Sequence, residues 1–320
     1  MRSIRFFQDT PTFAFMRWRR PAAIASAVLA VLSLILAFTV GLNLGIDFRG
    51  GTVMEVRTPA PVEVGELRAE LGGLGLGDVA LQEFGSPNDV LIRIEAQDAG
   101  DDDAETAAAQ AAAVQLVQDR LVQLYGDEVS FRRTEFVGPT VSDELFTAGI
   151  MAVSFALVAI LIYVWFRFEW QFGVCAVLAL AHDVVLTIGL FSVTRLEFNL
   201  ATVAALLTIV GYSLNDTVVV FDRVRDNLRK YKRMPMVELL NKSLNENLSR
   251  TLVTSLTTLL ALAALFTIVG GAIRGFSVAL IWGVLIGTYS SLYIAAPALL
   301  ALNLRRESPA EEPSEEAPAT

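Results

Sequence analysis

The chain has 320 residues, of which 54% are hydrophobic, with a formal net charge of −9 and a mean hydropathy of +0.53. Soluble domains carry about 45–50% apolar residues; here the excess is gathered into long blocks, which makes this an integral membrane protein and excludes a single soluble domain. One cysteine, Cys175, excludes an intramolecular disulfide, and one histidine, His182, excludes a His/Cys metal cluster.

Residues 1–20 form a leader in which Arg2, Arg5, Arg17, Arg19 and Arg20 alternate with Phe6, Phe7, Phe13, Phe15 and Trp18. Basic and aromatic residues before an apolar run suit the cytoplasmic headgroup region. Residues 21–41 are long enough to cross a hydrocarbon core of about 30 Å and are followed by no small-residue cleavage site, so they read as an uncleaved first span.

Residues 42–143 are the one large polar segment. Thr52–Thr58 alternates as a strand, Pro61–Leu74 sets Val64, Leu67 and Leu71 at helical spacing, and Val79–Phe84 and Asp89–Glu95 read as two further strands. Gly85-Ser86-Pro87-Asn88 is a turn signal and predicts an antiparallel hairpin. Ala104–Tyr125 is a helix with Val114, Leu116, Val117, Leu121 and Leu124 as its apolar positions, preceded by the acid run Asp101-Asp102-Asp103, and Val129–Val137 is a fourth strand. The order βαββαβ predicts one ferredoxin-like domain between the first and second spans.

Five more apolar runs follow, at 145–165, 172–193, 199–221, 252–270 and 276–301. Between the fourth and fifth lies a long basic segment, 222–251, with Arg223, Arg225, Arg229, Lys230, Lys232, Arg233, Lys242 and Arg250. By the positive-inside rule this segment and both termini are cytoplasmic, which gives six spans and an outer domain on the opposite, periplasmic side. Within it, Met236–Leu248 places Val237, Leu240, Leu244 and Leu248 on one face and predicts a helix lying on the membrane surface. The tail, 305–320, is rich in Glu, Pro, Ala and Ser and predicts disorder.

The polar residues inside the spans carry the functional signal. Asp216 interrupts the fourth span, next to Ser213 and Asn215, and a carboxylate there costs roughly 2.5–3.5 kcal/mol on insertion scales. Asp222 and Arg223 mark that span's cytoplasmic end, and Arg223 shares a face with Asp216. In the third span His182 and Asp183 are adjacent, so they are expected to point to different sides of the helix. The fifth span opens with Arg250, and Thr251, Thr254, Ser255 and Thr258 follow at i, i+3, i+4, i+7 spacing as one polar stripe. An acid, an arginine and a hydroxyl stripe on neighbouring helices are what a path for water and protons requires: an acid moved between a dry and a charged environment exchanges a proton, and one charge crossing the membrane is worth about 2.3 kcal/mol per 100 mV. Ser and Thr within spans also bond their own backbone, and Gly283 and Gly287 form a GxxxG that serves packing.

These residues together resemble the SecD/SecF family of the RND superfamily. Gly41–Thr52, with Asp47, Arg49, Gly50 and Gly51, is similar to the family's signature at the exit of the first span; Val137-Gly138-Pro139, Ala181-His182-Asp183, Gly211–Val219 and Leu248-Ser249-Arg250-Thr251 resemble later ones, the last two in their SecF form. The resemblance covers residues 15 to about 303 and implies an α-helical membrane protein, half of an RND-type bundle, in the bacterial inner membrane. It implies SecD as the partner supplying the other six spans, the SecYEG channel and exported unfolded polypeptides as further partners alongside membrane lipids, and protons as the coupling ion with no other cofactor. It maps Asp216 and Arg250 onto the family's proton site and takes the partner acid from SecD; from the spans themselves Asp183 is a third expected proton-coupling residue, with Asn215, Ser213, Thr254, Thr258 and His182 as supporting polar residues. Two other readings stand beside it: half of an RND-type exporter of small molecules or lipids, and a passive scaffold between SecD and the channel. An enzyme is disfavoured, since no nucleophile–base pair and no Walker lysine accompany Asp47-Phe48-Arg49-Gly50-Gly51, and nucleic-acid binding is disfavoured because the basic residues face the membrane.

Overall fold

The computed structural model describes residues 11–84, 86–97, 103–269 and 274–302. Arg2, Arg5, Phe6 and Phe7 of the leader, Gly85 of the hairpin turn, Asp101 and Asp102 of the acid run, and the tail lie outside the described residues.

A 3-10 turn, Phe15–Trp18, leads into α1 (Arg19–Thr39). There follow β1 (Asn43–Leu44), α2 (Ile46–Arg49), β2 (Gly51–Arg57), α3 (Val64–Gly72), β3 (Val79–Phe84), β4 (Ser86–Ile94), α4 (Asp103–Tyr125) and β5 (Ser130–Val137). The rest is helical apart from β6 (Glu197–Phe198): α5 (Pro139–Arg167), α6 (Trp170–Thr194), α7 (Leu200–Lys230), α8 (Met236–Val269), α9 (Arg274–Ser290), a π-helical turn (Ser291–Ala295) and α10 (Ala296–Ala301). Among the described residues, six helical segments are long and apolar enough to cross a membrane.

The sheet runs in the order β3-β4-β2-β5 with every neighbouring pair antiparallel, the ferredoxin-like arrangement. Alternation decides its faces. Met54, Val56, Val90, Ile92 and Ile94 point inward and are fully buried under Leu71 of α3 and Val117 and Leu121 of α4. Leu116 and Leu124, expected among the apolar positions of α4, are exposed instead, because the inward face runs through Ala113, Val117 and Leu121 at i, i+4 steps. At the end of the central β2–β4 pair, Arg57 donates from Nε to Asp89 Oδ1 at 2.6 Å and from a terminal nitrogen to Oδ2 at 2.5 Å. That guanidinium holds the Asp89 carboxyl down to about 2.

The domain is joined to the spans tightly. Gly138 alone separates β5 from α5, and Pro139 opens that helix, where its missing N–H costs nothing. Gly50 and Gly51 have φ of +72° and +104°. A Cβ on Gly51 would lie 2.3 Å from the Ile94 carbonyl oxygen, so only glycine fits between α2 and the sheet.

In the membrane part, α6, α7 and α9 are the central helices, while α1, α5 and α8 turn most of their apolar surface outward. The GxxxG explains one close approach: a Cβ on Gly283 would lie 2.2 Å from Ile209, and one on Gly287 would lie 3.0 Å from Ser213. Gly189 likewise admits Ser33 of α1 against α6.

The basic segment corrects a sequence expectation. α7 continues to Lys230 and α8 starts at Met236, so 222–251 is no loop, and Met236–Leu248 is the first third of one 34-residue helix rather than a separate surface helix. Its leucine face meets protein, not lipid: Leu239, Leu240 and Leu244 are fully buried in a cluster with Phe172, Phe221 and Val224. Asn227 of α7 donates to Ser243 at 2.9 Å and to Glu246 at 2.8 Å, which fixes the two helices to each other.

Candidate functional site

The site is built where α6, α7, α8 and the α9 π-turn junction meet. Asp183 is fully buried on α6. Its Oδ2 accepts from Ser213 of α7 at 2.7 Å and from Ser290 of α9 at 2.8 Å. Its Oδ1 lies 3.1 Å from His182 Nδ1. This last contact corrects the expectation that His182 and Asp183 point apart: residues 100° apart on a helix still meet when a ring nitrogen folds back toward its neighbour. The His182 ring packs on Tyr289, with centroids 6.3 Å apart, and the Tyr289 hydroxyl shares a 2.8 Å hydrogen bond with Ser26 of α1. His182 Nε2 is buried without a partner among the described residues.

Asp216 is partly buried on α7, and its Oδ1 accepts from Thr251 of α8 at 2.6 Å. Its Oδ2 has no hydrogen-bond partner among the described residues. One residue on, Thr217 shares a 3.0 Å hydrogen bond with Ser291. Ser290 and Ser291 are consecutive, so the two acids are tied to the same turn, one through Ser290 and the other through its neighbour Thr217. The turn is where the helix widens: Ala296 N–H bonds the Ser291 carbonyl, an i to i−5 step, just before Pro297, which has no N–H to give.

The polar stripe of the fifth span divides. Thr251 reaches Asp216, Ser255 shares a 2.7 Å bond with Thr288, and Thr258 accepts from Tyr212 at 3.4 Å. Thr254 is exposed and donates to the backbone carbonyls of Arg250 and Thr251, each at 3.0 Å. Arg250 and Asn215 are exposed, and Arg250 lies within Coulombic range of Asp216 without forming an ion pair among the described residues. Arg223 pairs with Glu246 at 3.8 Å rather than approaching Asp216, and Asp222 pairs with Arg167 at 3.4 Å.

The signature at the exit of α1 is structural. Asp47 Oδ2 accepts the Leu200 N–H at 2.7 Å and so caps the start of α7. Asn199 completes that start with a capping box on Thr202. Arg49 is exposed. β1 and β6 pair in parallel beside it. Arg93 of β4 bonds Glu197 at 2.7 Å and the Leu44 carbonyl at 3.0 Å, stitching the sheet domain to the α6–α7 connection. In the sequence Arg93 is simply one residue of the strand Asp89–Glu95, and this contact is not legible there, because the partner is distant in the chain and no local pattern announces it. Ser290 and Ser291 also escape sequence reasoning, although two serines together in an apolar run are a usable signal.

The profile of the family described as protein export membrane protein SecD/SecF, C-terminal, matches residues 117–305, and that of the SecD/SecF GG motif matches residues 35–61. The chain is 48% identical to protein translocase subunit SecF of Magnetococcus marinus, over 98% of this chain and 100% of that one. It is 44% identical to the protein of the same name from Rhodobacter capsulatus, over 98% of this chain and 95% of that one. Among solved structures it is similar to SecDF, a translocon-associated membrane protein from Thermus thermophilus, with a TM-score of 0.80 and 38% identity over 92% of this chain. It spans 39% of the length of that SecDF chain. The chain belongs to the SecD/SecF family of protein export membrane proteins.

Proposed function

We propose that this chain is the SecF-type subunit of a Sec translocase, coupling the proton motive force to the completion of protein export. The observation that carries the reading is the open polar face of α7 and α8. Among the described residues Asp216 keeps one buried oxygen without a partner, and Asn215, Thr254 and Arg250 are exposed on these two helices. Polar and charged groups at membrane depth do not face lipid without cost, and they mark ion pathways that a neighbouring bundle or water completes. A SecD-type partner with six further spans supplies that neighbour, and with it the second acid of the path. Asp216 is the proton-binding carboxylate, Arg250 the cation that competes with the proton for it, and Asp183 with His182 the support behind them.

In this reading the chain sits in a bacterial inner membrane with both termini cytoplasmic and the sheet domain periplasmic, alongside the SecYEG channel and the emerging unfolded chain. The basic residues gathered at one end of the bundle support that orientation. Protons are the only coupling agent the reading requires.

The test uses vesicles containing the chain, its SecD partner and the channel. Export completed after ATP is exhausted is compared with and without a proton gradient, for wild type and Asp216→Asn. The gradient is expected to accelerate export in wild type and not in an Asp216→Asn complex that assembles normally. A full gradient response in the variant defeats the proton-site reading and leaves a passive scaffold.

A further inference from the structure

The basic end of the bundle holds a feature that proton coupling does not use. The extended segment before α1 is held on the first turns of α8 by its backbone: Phe13 N–H donates to Asn245 Oδ1 at 2.9 Å, Met16 N–H donates to Asn241 Oδ1 at 2.9 Å, and Asn245 Nδ2 donates to the Phe13 carbonyl at 2.8 Å. Between that segment and α8 an open groove of about 510 Å³ is lined by Arg17, Arg19, Arg20, Val237 and Asn241. No acidic side chain lines it among the described residues. The three guanidinium groups make no hydrogen bond or ion pair with the described residues, and Asn241 has its amide Nδ2 to spare, since Oδ1 already serves Met16. Each guanidinium offers five N–H donors in a planar fork that matches phosphate oxygens.

The level of the groove identifies the occupant. Trp18, Trp165 and Trp170, three of the four tryptophans, are 61%, 61% and 52% exposed around this same end of the bundle. Exposed tryptophans of a membrane protein sit at the headgroup level. Below them α1 presents Ile24, Val28 and Leu32 outward, where acyl chains lie. A phosphate held by the arginines therefore has a place beneath it for lipid tails, and basic pockets between spans on this side hold multiply charged headgroups.

We propose that the groove between the start of α1 and the start of α8 is a binding site for the phosphates of an anionic phospholipid, with a two-phosphate headgroup such as that of cardiolipin preferred. The site belongs to this chain alone and does not depend on the proton-coupling reading.

The full chain in detergent, titrated with cardiolipin, phosphatidylglycerol or phosphatidylcholine and followed by native mass spectrometry, tests it. Saturable binding of about one cardiolipin per chain is expected, with phosphatidylglycerol weaker and phosphatidylcholine weaker still. Arg17→Lys/Arg19→Lys/Arg20→Lys keeps every charge but removes the planar forks, and is expected to bind about tenfold more weakly. Lys232→Gln/Arg233→Gln, which removes two charges on the same side away from the groove, is expected to bind as wild type. Should the triple variant melt below wild type, Arg17→Lys/Arg20→Lys, which alters only exposed side chains, takes its place with the same expected direction. Undiminished binding by the lysine variants, or an equal loss in Lys232→Gln/Arg233→Gln, shows bulk charge attraction and overturns the site. Displacement of the lipid by millimolar inorganic phosphate shows a soluble-anion site and overturns the lipid assignment.

Discussion

Asp183 and Asp216 are both carboxylates inside apolar spans, and they are solvated in opposite ways. Asp183 is fully buried and accepts from Ser213 and Ser290 while His182 stands 3.1 Å from its other oxygen. Among the described residues Asp216 accepts from Thr251 and has one buried oxygen without a partner, near an exposed asparagine and arginine. The first is enclosed by three elements of its own chain, and removing it strands the Ser213 donor in a dry core and leaves Ser290 only its 3.2 Å bond to the Gly287 carbonyl. The second has an incomplete shell among the described residues, with one buried oxygen unsatisfied. Closure holds the bundle together, and incompleteness leaves room for exchange with a neighbour.

The contrast is sharpest in stability. Asp183→Ala is expected to destabilise the detergent-solubilised chain by about 3 kcal/mol, because uncompensated polar groups remain buried. Thermal or denaturant unfolding measures it, and a loss as small as that of Asp216→Ala erases the distinction between the two acids. Gly283→Leu, which forces bulk against Ile209 between α7 and α9, is expected to cost about 2 kcal/mol by overpacking, and equal stability to wild type shows that the two helices separate freely around both acids. Ser213→Ala removes one of the donors to Asp183 and is expected to cost about 1 kcal/mol; a double-mutant cycle with Asp183→Ala should show coupling, and additivity between the two denies the hydrogen bond. Asp216→Asn is expected to shift unfolding by less than about 0.5 kcal/mol, since one acceptor for Thr251 remains. A large loss there makes Asp216 structural and weakens its proposed role.

A third carboxylate calibrates the comparison outside the membrane. Asp89 is held down to about 2 chiefly by its hydrogen bonds from Arg57, below the ordinary carboxylate range. Its ion pair therefore stabilises the sheet domain fully above about pH 4 and is lost as pH falls toward 2. Arg57 is half-exposed, so solvent screening weakens the effect. Amide protection at β2 and β4, taken relative to the intrinsic exchange rate at each pH, should fall across that window in wild type and stay flat in Asp89→Asn.

Much of the fold is legible in local pattern. Six apolar runs long enough to span, strands alternating about Met54 and Ile92, and paired glycines before a strand are each specified within a few residues, because burial on a helix or a pleat repeats with a short period. Asp216 is legible for the opposite reason: an acid breaks an apolar run and demands an account. What local pattern misreads is which neighbour covers a given face. Met236–Leu248 has the leucine spacing of a surface helix, and only the approach of Phe172 and Phe221 makes protein rather than lipid its cover. Thr254 shares a spacing with Thr251, yet one satisfies its own helix and the other reaches Asp216, a choice made by how α7 lies across α8. Local pattern specifies the spans, the order of the sheet domain's strands and helices and the presence of two intramembrane acids. Only long-range packing establishes that Ser290 bonds Asp183 while Ser291 bonds Thr217 beside Asp216, that Arg93 anchors the outer domain to Glu197, and that Asp183 has both oxygens engaged while Asp216 keeps a buried oxygen without a partner among the described residues. Each of these rests on groups brought together from distant parts of the chain, and such encounters leave no period in the sequence.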